Sequence, residues 1–250
     1  MDEDELRFAA GALGDAERAV AMTGAGVSTA SGIPDFRGSD GVWTRYDPED
    51  FHISRFEADP EGFWDDRLAL VEELYGEGRE PNRAHEALAA LEREGHIGGV
   101  ITQNVDGLHQ AAGSDRVVEL HGNGERVVCT DCGGTDDLDA VRSRAADLPP
   151  RCRRCDGLLK PDVVLFGERL PDYAWYRAHA MAQRADAVLV VGSSLSVEPA
   201  ASLPREAAGR GATLVVVNRE RTALSGRAEY DFRADATEAL PRIRDALADY

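Results

Sequence analysis

Lysine is nearly absent from this chain. Of its 28 basic residues one, Lys160, is a lysine and the other 27 are arginine, against 46 carboxylates and a formal charge of -18. Neutralising a nucleic-acid backbone needs a basic footprint, so direct DNA or RNA binding is not expected. Long apolar runs are missing as well: none approaches the ~18 residues of a membrane-spanning helix. The opening MDEDELRF is too acidic for a secretory leader, which makes a cytoplasmic protein without membrane contact the expectation. Cysteine is scarce, four residues in 250, and in a reducing compartment disulfides among them are not expected. There is no internal repeat and no low-complexity tract.

What remains is an acidic chain, 43% apolar with a mean hydropathy of -0.37, long enough for one large domain or two lobes. Excess carboxylate with almost no lysine keeps a protein hydrated in concentrated salt, where the Debye length falls to ~3 Å at 1 M. This points to the cytoplasm of an extreme halophile; the alternative is an ordinary acidic protein from a GC-rich genome, whose codons favour arginine. Five short β-branched runs, 18–22, 98–102, 116–120, 187–191 and 213–217, read as buried parallel strands. Helical stretches alternate with them: one from Pro81 to Gly95 with Leu88 and Leu91 on one face, others at 198–211 and 237–250. The alternation predicts a Rossmann-like, doubly wound α/β sheet built from residues 1–37, 98–122 and 160–250. A helical insertion at 38–97 and a cysteine-bearing one at 123–159 are expected to form a smaller lobe within the same domain.

Cys129-x-x-Cys132 and Cys152-x-x-Cys155, with 19 residues between the pairs, have zinc-ribbon spacing. Four thiolates complete a tetrahedron without an open position, so one structural Zn2+ is expected, its charge offset by Arg126, Arg151, Arg153 and Arg154. TGAGVSTASGIPDFRG (23–38) follows a strand as a dinucleotide loop does. Only Gly24 and Gly26 match the Gly-x-Gly-x-x-Gly fingerprint, however, and Ala30 or Ser31 stands in the third place. The turn is expected to present N–H groups to a pyrophosphate at a helix N-terminus. Open α/β sheets bind ligands at the carboxyl ends of their strands. Four more polar segments share that edge: TQNVDGLH (102–109), HG (121–122), VGSSLSVEPA (191–200) and VVVNRE (215–220), with Asn218 placed for ribose hydroxyls.

With GVW (41–43) and KPDVVLFGE (160–168), these motifs stand in sirtuin order, and the chain resembles a sirtuin, an NAD-dependent protein-lysine deacylase, over essentially its whole length. The resemblance implies that NAD is a co-substrate consumed at its glycosidic bond. Acetyl groups would leave protein lysines to give nicotinamide, 2′-O-acetyl-ADP-ribose and free lysine. The implied cofactor site is Gly24, Ala25, Gly26, Asp35, Phe36, Arg37, Trp43, Gln103, Asn104, Val105, Asp106, Gly192, Ser193, Ser194, Asn218, Arg219, Glu220 and Ala236. Within it, the neighbourhood of Ala25 would hold the pyrophosphate and Phe36 would shield the anomeric carbon, in a loop steadied by Asp35 and Arg37. Asp106 would hold the nicotinamide carboxamide, and Asn104 would order water or ribose hydroxyls.

The implied catalytic set is His121, Asn104 and Asp106, with His121 as general base, a task suited to a side chain of pKa about 6.5. His109 is the other close candidate for that base. Val163, Phe166, Gly167, Glu168 and Val197 would bind the acyl-lysine protein as an added strand, Val163 receiving the acyl-lysine amide at its backbone. Sirtuins that prefer acidic acyl groups carry Tyr-x-x-Arg upstream of the PNxAH motif. Those two places here are Arg67 and Leu70, which implies acetyl or longer neutral acyls. The competing readings are an NAD-dependent ADP-ribosyltransferase and a zinc-containing module that recruits partners. An ordinary dehydrogenase fits less well, for want of the third glycine.

Overall fold

The structure, a computed structural model, describes residues 1–35, 41–75, 79–144 and 148–248. Helix α1 (Glu3–Gly14) leads into strand β1 (Ala19–Thr23), and α2 (Ile53–Ala58), α3 (Pro60–Tyr75) and α4 (Arg83–Arg93) precede β2 (Val100–Thr102). Next come α5 (Leu108–Ala111), β3 (Val117–Glu119), β4 (Gly122–Cys129), β5 (Thr135–Asp137), α6 (Leu138–Arg144) and β6 (Leu159–Val163). The chain ends with α7 (Asp172–Arg184), β7 (Ala187–Val191), α8 (Ser202–Gly209), β8 (Thr213–Val217), β9 (Tyr230–Phe232) and α9 (Ala236–Ala248).

Six strands pair in parallel in the order β3-β2-β1-β7-β8-β9. Every residue of β1 and β7 is buried, as a parallel sheet covered on both faces requires. Side chains alternate between those faces. Ala19, Ala21, Leu189, Val191 and Val215 pack with α1, α4 and α9, while Val20, Met22, Val188, Val190 and Leu214 pack with α7 and α8. The chain runs outward from β1 to β2 and β3, then returns to the other side of β1 as β7. The order therefore reverses between β1 and β7, and the loops beyond their carboxyl ends diverge around a crevice. All five expected strands are present; the three-residue edge strand β9 was not expected.

Helix α4 is capped by Asn82, whose Oδ1 accepts from Ala84 N at 2.9 Å while His85 Nδ1 accepts from Asn82 N at 3.2 Å. It lies in the stretch assigned from sequence to the smaller lobe, but Ala84, Ala87, Leu88 and Leu91 pack into the core of the six-stranded sheet. Its apolar stripe finds the sheet face, so only the earlier part of that stretch belongs with the smaller unit. There β4 pairs antiparallel with β5 and β6. Phe63, Trp64, Leu70, Val71 and Leu74 form one buried stripe of α3, packed with Val127, Leu159 and Val163 of the small sheet. Burying each such side chain stabilises by about 1.5–3 kcal/mol, and Trp64 Nε1 also donates to Leu159 O at 2.9 Å. The helical and cysteine-bearing insertions thus share one core. Among the described residues no helix is long and apolar enough to cross a membrane.

A formal charge of -18 repels itself most in the compact state, and salt relieves that repulsion by shortening the Debye length from ~10 Å at 0.1 M to ~3 Å at 1 M. The melting temperature is expected to rise by about 5 °C or more from 0.1 M to molar KCl, on the order of 2 kcal/mol for a chain of this size. A flat melting temperature across that range, followed by circular dichroism, would refute the halophile reading.

Candidate active site

A cavity of 1170 Å³ opens beyond the carboxyl ends of β1 and β7, roomier than the roughly 300–1,000 Å³ typical of a small-molecule site. Gly24, Ala25, Gly26, Asp35, Trp43, Gln103, Asn104, Val105, Gly192, Ser193, Ser194, Asn218, Arg219, Glu220 and Ala236 border it. So do Val163, Phe166, Gly167, Glu168 and Val197, and the catalytic candidate His121. Phe36 and Arg37 lie outside the described residues. Asp106 is described but does not border the cavity.

The glycines after β1 serve close approach. A Cβ on Gly24 would stand 2.9 Å from Gly192 O, and one on Gly26 2.8 Å from Gly192 Cα. Gly192 itself has φ +61, and a Cβ there would meet Val27 N at 2.3 Å. The N–H groups of Gly24 and Gly26 donate to Val191 O and Gly192 O, so they are not presented to a ligand. The expected helix N-terminus is also absent: short 3-10 turns, Ala25–Val27 and Thr29–Ser31, follow the strand. They are too short to carry a macrodipole of consequence. On the β8 side Arg219 is ion-paired with Asp235, whose Oδ1 accepts from Thr237 N at 2.8 Å in the first turn of α9.

His121 is held by backbone. Its Nδ1 lies 2.8 Å from Gln103 O, and a carbonyl oxygen only accepts. The neutral ring therefore carries its proton on Nδ1 and its lone pair on Nε2. Gln103 is fixed in turn, donating from N to Thr23 O at 3.0 Å and from Nε2 to Ser193 Oγ at 2.9 Å. The Asn104 Nδ2 group donates to Gly24 O at 3.3 Å and Ser28 Oγ at 3.0 Å, which leaves Oδ1 as its acceptor.

Behind this wall lies a buried polar chain. Ser28 Oγ donates to Asp106 Oδ2 at 2.7 Å, and Asp106 Oδ1 accepts from Leu108 N at 3.0 Å. His85 Nε2 lies 3.3 Å from Ser28 Oγ, and His109 Nε2 lies 2.8 Å from Thr23 Oγ1. Burial holds the His85 imidazole down at about 4 and the His109 imidazole at about 3, so both are neutral. His109, the rival for general base, is 1% exposed and away from the cavity. Asp106 anchors Ser28, and through it Asn104, from behind the cavity wall.

On the opposite wall, Val163 O accepts from Lys160 Nζ at 2.7 Å. Its neighbour Val164, passed over in the sequence, borders the cavity and donates its N–H to His121 O at 2.9 Å. Trp43 stacks edge-on with Phe166, centroids 5.2 Å apart. Arg67, Leu70 and Leu74 of α3 also line the cavity. Their helical spacing was legible in the sequence; nothing there marked Trp175 of α7, which borders it too.

The four cysteines converge away from the cavity. Their sulfurs all lie within 4.8 Å of one another, with Cys129–Cys155 at 3.5 Å and Cys132–Cys152 at 3.8 Å. A tetrahedron of Zn–S bonds of about 2.3 Å has edges of about 3.8 Å, so the set fits zinc. Each pair closes the same knuckle: Cys129 O accepts from Gly133 N and Cys152 O from Asp156 N, with Gly133 and Asp156 at φ 65 and 62. The Arg154 guanidinium and the Gly134 N–H beside Cys132 draw its thiol down to about 6. Arg126, expected to offset the sulfur charge, instead pairs with Glu119 and Asp162.

A crevice of this size at the reversal point of a parallel sheet, with a backbone-held imidazole in its wall, places the protein among the nucleotide-binding α/β enzymes. Within that class the chain belongs to the Sir2 family, which it matches over residues 24–199. It is 58% identical over 251 residues to the NAD-dependent protein deacetylase of Haloarcula marismortui, spanning 99% of this chain and 96% of that one. It is also similar to a Sir2 homologue solved as its NAD complex, with 40% identity, a TM-score of 0.87 and coverage of 100% of this chain and 94% of the other. Sir2 solved with a p53 peptide and NAD+ is 38% identical at a TM-score of 0.87, covering all of both chains.

One zinc per chain is the expected metal content by mass spectrometry. Because the knuckles tie β4 to β6, chelation is expected to unfold the small sheet and lower the melting temperature. Unchanged melting and activity in the metal-free protein would count against a structural role.

Proposed function

We propose that this Sir2-family protein deacetylates lysine side chains of other proteins, converting acetyl-lysine, NAD and water into lysine, nicotinamide and 2′-O-acetyl-ADP-ribose. Its carboxylate excess suits a salt-rich cytoplasm. The observation that carries the activity is the tautomer of His121, fixed by Gln103 O at 2.8 Å, which puts a basic nitrogen on a residue of the cavity wall. When bound, NAD supplies an anomeric carbon with nicotinamide as its leaving group, and ribose hydroxyls that take over the acetyl group. His121 Nε2 accepts the proton of one such hydroxyl while Nδ1–H stays on Gln103, so the ring charges without turning. Asn104 offers Oδ1 to the ribose or its water. Trp43 and Phe166 exclude solvent. The protein substrate enters as an added strand between 163–168 and Val197. The acyl-lysine amide is received at the backbone oxygen of Val163, whose second lone pair accepts from Lys160 Nζ.

Replacing His121 by Ala is expected to lower kcat/KM for an acetyl-lysine peptide by about 10²–10⁴, with NAD affinity retained because the base acts after binding. Turnover near that of the parent would overturn the assignment. Mass spectrometry of the product separates deacetylation from protein ADP-ribosylation, since the ADP-ribose ends on a free acetyl ester in the first case and on protein in the second.

Arg67 is 7% exposed and shares its wall of the cavity with Leu70 and Leu74. An acidic acyl group there would meet one guanidinium without a tyrosine hydroxyl beside it, and burying a carboxylate so poorly matched costs several kcal/mol. Acetyl-lysine peptide is therefore expected to exceed its succinyl counterpart in kcat/KM by about tenfold or more. A succinyl preference of that size would reverse the conclusion, and its loss in Arg67→Ala would identify the cause.

A further inference from the structure

The chain's only lysine stands behind the peptide wall. Lys160 lies in β6 with 14% of its side chain exposed. Its Nζ donates to Pro161 O at 3.0 Å, Val163 O at 2.7 Å and Glu168 Oε2 at 3.0 Å. Three acceptors thus meet three ammonium protons. The site asks for a compact charge, one nitrogen with three rotatable donors. A guanidinium spreads its donors over a rigid planar fork and does not bring three of them to one point. In a chain that uses arginine for its other 27 cations, this is the place where arginine geometry fails.

The partners of Lys160 define what it holds. Glu168 Oε2 also accepts from Leu165 N at 2.8 Å, and Glu168 N donates to Leu165 O at 3.0 Å. Lys160 and Glu168 therefore fold residues 163–168 into a closed turn, with Gly167 at φ +83 at its bend. Val163, Val164, Phe166, Gly167 and Glu168 all border the cavity; Lys160 does not.

We propose that Lys160 is the positioning residue of the peptide-binding segment, fixing its reach and register through Val163 O and Glu168 without touching substrate. The proposal rests on the deacetylase reading for the nature of the peptide. It predicts a loss confined to peptide binding. In Lys160→Met, which keeps the length and removes the donors, binding and KM of an acetyl-lysine peptide are expected to weaken about tenfold or more, the scale of a lost charged hydrogen bond. The KM for NAD and the zinc content are expected to stay within about twofold. Lys160→Arg, with charge but without the three-point geometry, should fall between parent and Met.

Peptide binding is read by fluorescence anisotropy of a labelled acetyl-lysine peptide, and turnover separately by mass spectrometry. A Met variant that binds peptide like the parent, or loses NAD and peptide affinity equally, overturns the proposal. Should the Met variant fail to fold, the Arg variant decides by the same comparison: weakening confined to peptide supports the proposal, and equal or absent weakening overturns it. A parent that binds the peptide without turning it over refutes the deacetylase reading while the Lys160 comparison stands, whereas a parent that does not bind the peptide overturns both.

Discussion

No Cβ fits where the loops after β1 and β7 cross, and the order of the site follows from that contact. With Gly24, Gly26 and Gly192 at backbone distance of one another, the two loops are held against each other through Val191 O and Gly192 O. Thr23 O is thereby fixed for Gln103 N, Gly24 O for Asn104 Nδ2, and Gln103 O for His121 Nδ1. The steps are short and mostly made by main chain, whose positions a parallel sheet buried on both faces holds tightly. A larger residue at any of the three glycines would displace His121 as well as the loop after β1.

Behind the wall, polarity is arranged as a chain of hydrogen bonds ending on Asp106. His85 accepts from Asn82 N at Nδ1 and so presents a proton to Ser28, which passes its own to Asp106. Burial keeps His85 and His109 neutral, a state in which each ring offers one donor and one acceptor. The chain of donors runs from α4 inward to the carboxylate, and Asn104 joins it from the cavity side by donating to Ser28 Oγ. The branch from His85 through Ser28 to Asp106, in which both ring nitrogens of His85 are partnered, specifies one arrangement of the loop after β2; His109 Nδ1, buried beside it, has no partner.

The sequence was most readable where a single physical requirement acted on consecutive residues. Runs such as AVLVV (187–191) and LVVV (214–217) are apolar throughout because both sides of β7 and β8 are covered there, and the two Cys-x-x-Cys pairs are spaced by the reach of one metal. The edge strand β9 was not readable: its three residues carry no apolar run, and their membership depends on β8 lying beside them. The place of α4 could not be read either, since an apolar stripe states that a face is buried and leaves open against what. The contacts of the site residues follow the same division: the bond from Ser28 to Asp106 joins residues distant in sequence, and Lys160 reaches Val163 O, three residues away, only through the turn closed by Glu168.

The base and the peptide wall are joined by the same backbone. His121 O accepts from Val164 N at 2.9 Å while Gly122 pairs with Val163, so the proposed general base and the segment proposed to receive substrate are neighbours in one antiparallel ladder. On its other side that segment is tied to the helical insertion, Ile53 N donating to Phe166 O at 2.9 Å and Phe166 N to Phe51 O at 3.2 Å. The chemistry needs the acyl oxygen, the anomeric carbon and the imidazole placed within about half an ångström, and the two ligands arrive separately. Fixing one of them to the base by main-chain bonds removes one degree of freedom from that problem. The other ligand is placed by the glycine crossing at β1 and β7, which reaches the same imidazole through Gln103. His121 is thus the point at which two independently rigid halves of the site are brought into register.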